Sequence, residues 1–356
     1  MKAELRALTS VRGIAAWLVV LYHIRLSIAG LPASAEAVLA KGYLAVDFFF
    51  LLSGFVIWLS WAERVRGGAV AEFLRRRIAR IWPLHLAMLG FGLLLALLLL
   101  ATGRPAPQFP LAELPLHIGL LQNWGFTDAL AWNDPAWSIS CELGAYLLFP
   151  LLVLAVDWRR VPTPAILAAI TALLALLHMV FALQGAATLG DQIPRLGLIR
   201  CILEFACGTA VCALWLRWQA RPRIPALVAM LAGATLLGGW AMGLPETLAV
   251  PAAFAALLCA LALTAGRPGN PLEGRVLHYL GEVSYATYLG HFLLWYAFKL
   301  ALVRDADAVG PALIALYLAL VLASSAALYH WIERPAQRRI NGLSFRRSQV
   351  PSPGSR

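Results

Sequence analysis

The chain has 356 residues, of which 61% are hydrophobic and 13% are charged, and its mean hydropathy is +0.75. A soluble domain of this length cannot bury so much apolar surface, so the composition excludes a soluble fold and predicts a polytopic membrane protein. The net charge of +11 does not indicate nucleic acid as a partner, because the basic residues lie in many short segments rather than on one soluble module.

About ten apolar runs are each long enough to cross the roughly 30 Å of hydrocarbon in a bilayer. They cover residues 8–29, 43–61, 82–101, 138–156, 163–183, 196–216, 224–242, 248–266, 280–302 and 310–332. The sequence therefore predicts an all-α polytopic membrane protein, a bundle of about ten transmembrane helices. If the N-terminus is inside, most of the 29 Lys and Arg residues fall in inner segments, which places both termini in the cytoplasm.

The first predicted span carries an arginine and a histidine, in the sequence RGIAAWLVVLYH at 12–23. Eleven residues at about 100° each complete about three turns, so Arg12 and His23 share one helix face about 16 Å apart along the axis. Ionisable groups inside a membrane are costly and commonly mark functional sites. A histidine near a carboxylate can take a proton from a nucleophile, so we predict a catalytic role for His23, with a structural role as the alternative.

Three further ionisable residues lie inside predicted spans. Asp47 and Glu142 both lie about 6 Å from the outer end of their spans, close to the depth of His23, which is about 9 Å in, and His291 lies deeper. Unpaired charges there would cost several kcal/mol each. We therefore expect these groups to face one another across a polar cavity. Asp47 could instead cap its helix or neutralise an arginine, and His291 could simply bond a neighbouring helix.

The fourth span carries a polar stripe. Ser138, Glu142 and Tyr146 recur every four residues, so their side chains lie on one face of a helix. We predict that this face forms one wall of the polar cavity.

The longest outer loop, at about 102–137, is rich in Pro and Trp. It contains Gln122-Asn123-Trp124 and Asn133-Asp134-Pro135-Ala136-Trp137. A loop with so many aromatic residues is rarely only solvated. Two interpretations remain open, a lid over an outward-facing cleft and a loop packed on the helix ends.

The loop before the third span is strongly basic and reads FLRRRIARIWPLH at 73–85. Its charge alone is explained by the positive-inside rule and by binding of anionic lipids. Arg77 and Arg80 are three residues apart and so project to one side of a helix, near the predicted level of Arg12. This spacing favours a site that grips the phosphates of a cytosolic ligand.

The cysteines and the C-terminus give simpler expectations. All five cysteines lie in apolar stretches without CxxC spacing, so we interpret them as packing residues and predict no disulfide and no metal site. Residues 1–335 form the predicted transmembrane domain. Residues 336–356 are basic, and we expect a disordered cytoplasmic tail.

Six motifs in this order and spacing resemble the acyltransferase-3 family of integral membrane acyltransferases, over nearly the whole chain. They are R-x10-H at Arg12 and His23, GYLAVDFFFLLSGFVI at 42–57, FLRRRIARIWPLH at 73–85, WSISCELGAY at 137–146, LGEVSYATYLGH at 280–291, and Glu333-Arg334-Pro335.

The resemblance implies transfer of an acyl group, usually acetyl from cytosolic acetyl-CoA, to a hydroxyl of a carbohydrate or lipid-linked glycan, and we favour a cell-surface polysaccharide. The resemblance also implies that Arg12 and His23 are the essential pair of residues, and that Arg77 and Arg80 correspond to the family's R-x-x-R motif. Leu143 and Cys141 depart modestly from the family pattern. Asp47, Ser53, Trp137, Ser138 and Glu142 also fall on family motif positions.

On the basis of this resemblance, we hypothesise a reaction in which the CoA phosphates dock on arginines and the acyl thioester reaches His23. His23, polarised by Asp47 or Glu142, then either deprotonates the acceptor hydroxyl or carries the acyl group itself. The predicted catalytic residues are His23, Asp47 and Glu142; the donor-binding residues are Arg12, Arg77 and Arg80; the substrate-binding residues are Trp137, Ser138, Tyr146 and His291.

Acyl-CoA is thus expected as a donor substrate, with no permanently bound cofactor. We also expect contact with membrane lipids, a location in the plasma (inner) membrane and, as an open possibility, a homo-oligomer. A transporter or flippase for a polyprenyl-linked sugar is the alternative function, since polar intramembrane residues also suit alternating access. A structural subunit of an export complex would leave the pairing of Arg12 and His23 unexplained.

Overall fold

The computed structural model describes residues 5–343, and the regular elements in that range are helices. The α-helices are α1 (Arg6–Ile24), α2 (Ala33–Leu39), α3 (Ala45–Arg66), α4 (Val70–Ala101), α5 (Leu114–Gly119), α6 (Ala136–Ala155), α7 (Thr163–Leu183), α8 (Ile193–Trp218), α9 (Arg223–Ala241), α10 (Glu246–Thr264), α11 (Arg275–Glu282), α12 (Ser284–Leu302), α13 (Pro311–Leu328) and α14 (Arg334–Gly342). A π-helical turn, Tyr329–Glu333, joins the last two.

Nine helical stretches among residues 5–343 are long and apolar enough to cross a membrane. They contain α1, α3, α4, α6, α7, α8, α9, α10 and α13. The predicted ninth span, 280–302, corresponds to α12, which is not among these nine stretches. The chain is therefore a multi-pass membrane protein, and residues 5–343 form an all-helical bundle.

Helix α4 begins at Val70, well before the predicted start of the third span at residue 82. The basic segment that we predicted as a loop is therefore helical. Leu and Arg are good helix formers, and long arginine side chains can cover apolar surface while their charged ends reach polar surroundings. Because α4 begins before Arg75, the four arginines from Arg75 to Arg80 have helical spacing. The helix then continues through Pro83.

Helices α3 and α8 touch backbone to backbone at the centre of the bundle. A Cβ atom added at Gly54 would lie 1.9 Å from the carbonyl oxygen of Phe205, and one at Gly208 would lie 1.9 Å from that of Leu51. Such a close approach requires glycine at both positions. This contact fixes the face that α3 turns towards α8.

A second close approach joins α1 to α11. A Cβ atom at Gly281 would lie 1.9 Å from the carbonyl oxygen of Thr9, and one at Gly13 would lie 2.7 Å from the backbone nitrogen of Gly281. The contact places Arg12 beside the start of α12, where its guanidinium donates to Ser284 Oγ at 3.1 Å.

The predicted disordered tail is only partly within the described residues. Residues 336–342 belong to α14, so this part of the expectation is wrong, and residues 344–356 lie outside the described range. All five cysteines are free and buried, as expected for packing residues.

Candidate active site

The three predicted donor-binding arginines line one cavity of about 160 Å³, which we call the arginine cavity. Arg12 comes from α1, and Arg77 and Arg80 come from adjacent turns of α4. The polar stripe of α6 forms part of the opposite lining, through Ser138, Glu142 and Tyr146. Within the described part of the chain, neither His23 nor Asp47 lines this cavity.

The charged groups of the arginine cavity are not all paired. Glu142 Oε1 accepts from Ser53 Oγ and from Tyr146 Oη, both at 2.5 Å. Arg80 donates to Glu333, whose side chain is buried at the end of the π-helical turn. Arg77 lies with its guanidinium carbon 6.0 Å from the centre of the Tyr146 ring, and its buried Nε has no hydrogen-bond partner among residues 5–343.

A second group of polar residues, the histidine cluster, consists of His23, His291 and Asp134. His23 Nδ1 lies 2.9 Å from the carbonyl oxygen of Val19, and His291 Nδ1 lies 3.0 Å from that of Thr287. Carbonyl oxygens only accept hydrogen bonds, so each imidazole carries its proton on Nδ1 in this arrangement.

That assignment leaves the Nε2 atoms as acceptors. His291 Nε2 lies 3.1 Å from His23 Nδ1, so it shares the single Nδ1 proton of His23 with the carbonyl oxygen of Val19. The lone pair on His23 Nε2 is then free, and this atom lies 3.9 Å from Asp134 Oδ2. The geometry makes His23 Nε2 available as a base or nucleophile, with a carboxylate close enough to stabilise the imidazolium that would form.

Asp134 was missed as the partner of His23. It lies in the connection between α4 and α6, two residues before α6 begins, and 34% of its side chain is exposed. Burial raises the pKa of Asp134 to about 6. The signal that could have found it is its position, because a residue just before the fourth span lies near the same membrane surface as the outer part of the first span.

Asp47 does not contact His23, and the prediction that it polarises this histidine is wrong. Both oxygens of Asp47 accept from Arg200, at 2.7 Å from Nε and 2.6 Å from Nη2. The two side chains are 0% and 1% exposed. The alternative interpretation, in which Asp47 neutralises an arginine, agrees with the structure. The α3–α8 backbone contact explains the choice, because it turns this face of α3 towards α8.

The expected placement of Glu142 also needs correction. Glu142 lines the arginine cavity, which neither His23 nor Asp47 lines, so the three residues do not share this cavity as expected. Trp137 does not line the arginine cavity, and its ring centre lies 5.4 Å from the guanidinium carbon of Arg200, beside the buried ion pair. It lines a small pocket together with Asp134, and its substrate-binding role stays a prediction.

The arginine cavity and the histidine cluster meet at Tyr288. Its hydroxyl bonds Ser138 Oγ at 2.8 Å, and both residues line the arginine cavity. The ring of Tyr288 also lies 6.4 Å from that of His291, centre to centre. A ligand held by the arginines would therefore reach His23 by passing this hydrogen-bonded pair.

The α4–α6 connection packs on the helix ends. Trp124 Nε1 donates to the carbonyl oxygen of Ser140 at 2.9 Å, and Asn133 Nδ2 donates to that of Leu289 at 2.8 Å. Trp132 and Asn133 are 2% and 3% exposed. Of the two interpretations left open, the packed loop describes this arrangement, and it brings Asp134 to His23.

Comparisons with known proteins identify relatives. The sequence model of the acyltransferase domain family matches residues 5–330. The acyltransferase MdmB of Streptomyces mycarofaciens is 33% identical over 276 residues, which are 71% of this chain and 68% of that protein. The exopolysaccharide production protein ExoZ of Rhizobium meliloti (strain 1021) is 29% identical over 318 residues, covering 84% of this chain and 90% of ExoZ. No solved structure matches the chain.

Proposed function

We propose a specific reaction for this chain, which belongs to the acyltransferase family and is an acyltransferase enzyme: it moves an acyl group, in our proposal acetyl, from cytosolic acyl-CoA to a carbohydrate hydroxyl. Family membership confirms the resemblance inferred from the sequence motifs. The donor and the acceptor are the proposed parts. The acceptor is a cell-surface polysaccharide or a lipid-linked glycan.

The observation that carries this proposal is the pairing of a cationic cavity with a histidine whose Nε2 is free. The arginine cavity suits an anionic ligand, since Arg77 retains an unused donor. The histidine cluster supplies a base about 16 Å further along α1 from Arg12. A donor with phosphates at one end and a thioester at the end of a long arm fits that separation.

In the proposed reaction, Arg12, Arg77 and Arg80 hold the phosphates of the donor. His23 Nε2 takes the proton of the acceptor hydroxyl, and the oxygen forms a bond to the thioester carbonyl carbon. The C–S bond then breaks, and the CoA sulfur receives the proton from His23. Asp134 stabilises the imidazolium between these steps. An acyl group carried on His23 Nε2 is the second route, and it uses the same atoms.

The name of one relative supports the proposed acceptor. ExoZ is described as an exopolysaccharide production protein, and its match extends over most of both chains. An outer-facing polysaccharide acceptor also agrees with a histidine cluster that lies beneath the α4–α6 connection.

The proposed topology has ten spans, with α12 as the span that is less apolar than the others. Both termini are then cytoplasmic, as the distribution of basic residues indicates, and the protein lies in the inner membrane. Arg12, Arg77 and Arg80 would lie towards the cytosol, where acyl-CoA is present. The expected topology places positions 64 and 304 on opposite sides of the membrane. The accessibility of cysteines introduced as Arg64→Cys and Arg304→Cys would test this arrangement.

Purified protein in detergent with radiolabelled acetyl-CoA tests the reaction. We expect label to move to a glycan acceptor or to water, and we expect His23→Ala to lower the rate by about 10²- to 10⁴-fold, the usual contribution of a general base. His330→Ala is the control, because His330 lies outside the cluster and bonds Tyr279. A transporter would leave the thioester intact, and wild-type turnover in His23→Ala would disprove the assigned role.

Donor binding has a separate test in Arg77→Gln. Hydrogen bonds to charged groups contribute about 1.5–3 kcal/mol, so the KM for acetyl-CoA should rise by roughly 10- to 100-fold. Arg304→Gln removes an exposed arginine from another part of the protein and should leave KM unchanged. An unaltered KM in Arg77→Gln would argue against phosphate binding in the arginine cavity.

A further inference from the structure

A large apolar groove lies between α7, α8, α9 and α10, separate from the proposed active site. Its volume is about 480 Å³, against about 160 Å³ for the arginine cavity. Small side chains on two helices create it, namely Ala229 and Ala232 on α9 and Ala252 and Ala256 on α10. Helices α7 and α9 both pack against α10, so the space between them remains open at the periphery of the bundle.

The groove is elongated along the helix axes. Its lining extends from Trp218 to Val211 on α8 and from Ile224 to Ala232 on α9. These distances are about 10 Å and 12 Å, or roughly a third of a bilayer's hydrocarbon core. An engineered apolar cavity of about 150 Å³ already binds benzene, so a larger groove facing the membrane is suited to a hydrocarbon chain.

One end of the groove is basic. Arg221 and Arg223 lie at the junction between α8 and α9, close in sequence to the groove residues Trp218 and Ile224. Both arginines are exposed, and neither forms an ion pair with a described carboxylate. Arg217 is different, because its guanidinium donates to Thr163 and to backbone carbonyls. The two exposed arginines are therefore available to an anion from outside the chain.

We propose that this groove is a binding site for an anionic glycerophospholipid, with one acyl chain between α7 and α9 and the headgroup phosphate at Arg221 and Arg223. The apolar lining accounts for the chain, and the two free cations account for the negative headgroup. Trp218 lies between these parts in sequence, and tryptophan is favoured at the membrane–water interface, where a headgroup and an acyl chain meet. This lipid site is distinct from the proposed site for the acyl donor. The arginine cavity is built from α1, α3, α4, α6 and α12, whereas the groove lies between α7, α8, α9 and α10.

Quenching of Trp218 by brominated lipids tests the site. Full-length protein is reconstituted in phosphatidylcholine vesicles that contain a fixed minor fraction of chain-brominated phosphatidylglycerol or of chain-brominated phosphatidylcholine. The Trp218 signal is the difference between wild type and Trp218→Phe. We expect the phosphatidylglycerol to be enriched at the groove by about fivefold for each arginine, so it quenches this signal more strongly.

Three variants identify the cause of that enrichment. Arg221→Gln/Arg223→Gln should abolish the preference for phosphatidylglycerol, whereas Arg275→Gln, which removes an exposed arginine from α11, should preserve it. Ala232→Leu/Ala256→Leu fills the groove and should weaken quenching by both lipids. Equal quenching by the two lipids in the wild type, or a preference that survives loss of both arginines, would overturn the proposal. Neither readout depends on acyl transfer.

Discussion

Two buried regions of this bundle contain charged side chains, but the charges are fully paired in one region and open to a ligand in the other. Asp47 and Arg200 form a closed pair in which both carboxylate oxygens are bonded and both side chains are almost completely buried. The arginine cavity instead brings Arg12 and Arg77 to open space, with Glu142 held by two hydroxyl groups. An ionisable residue inside a membrane is therefore not by itself a functional site. The partner decides whether the charge is available to a ligand.

The largest expected effect comes from breaking the closed pair. Arg200→Leu leaves Asp47 buried without a cation. The fully buried Glu204, which lies on α8 like Arg200, is also close to Asp47. Removal of one partner from a buried pair costs about 3–5 kcal/mol. We expect a large loss of thermal stability, measured as retention of monodisperse protein in detergent after heating. The double variant Asp47→Leu/Arg200→Leu should recover most of it, because neither member of the pair is then left without its partner. A stable single variant would contradict the structural role.

A smaller effect, on activity rather than on stability, is expected in the open cavity. Glu142→Gln keeps the size of the side chain but removes the charge that accepts from Ser53 and Tyr146. We expect kcat/KM to fall by about 10- to 100-fold, since hydrogen bonds to charged groups are worth about 1.5–3 kcal/mol, while thermal stability changes little. If Glu142→Gln instead destabilised the protein as strongly as Arg200→Leu, the contrast between the two regions would be lost.

The smallest effect concerns Asp134, whose side chain is about one-third exposed, more than that of Asp47 in the closed pair. Its pKa is raised to about 6, so the carboxylate is charged above that pH and neutral below it. Activity should fall as the pH drops through about 6, and Asp134→Asn should remove this limb and lower kcat/KM at neutral pH by up to about fivefold, the effect of an exposed ion pair worth up to about 1 kcal/mol. A pH profile that is identical in the variant would rule out Asp134 as the partner of His23.

The raised pKa of Asp134 makes folding stability change with pH in the opposite direction from activity. Between pH 3.8, the usual value for the group, and about 6, the folded protein binds the Asp134 proton more tightly than the unfolded chain does. The contribution of Asp134 to stability is therefore greatest below pH 3.8 and is lost as the pH rises through about 6. Asp134→Asn should remove this dependence in unfolding measurements across that range.

Much of the architecture follows from sequence because length and hydropathy are local properties. Nine apolar stretches could be located that way, and the stripe of Ser138, Glu142 and Tyr146 could be placed on one face, since a single helix determines that relation. The arginine spacing on α4 is local for the same reason.

The relative rotation of different helices is not local, and there the prediction failed. Depth along the membrane placed Asp47 near His23, but depth does not say which way a helix faces. The contact between α3 and α8 turns Asp47 towards Arg200, and the α4–α6 connection brings Asp134 to His23 instead. Both outcomes depend on packing between segments far apart in sequence.

The glycine at position 54 affects how variation among relatives should be interpreted. Ser53 and Gly54 are neighbours in one motif, yet Ser53 bonds Glu142 in the arginine cavity while Gly54 touches the backbone of α8. An invariant serine at this site would report chemistry, whereas an invariant glycine beside it would report only the distance between two helices. Adjacent positions in an alignment can thus be under selection for unrelated reasons, and conservation alone would merge them.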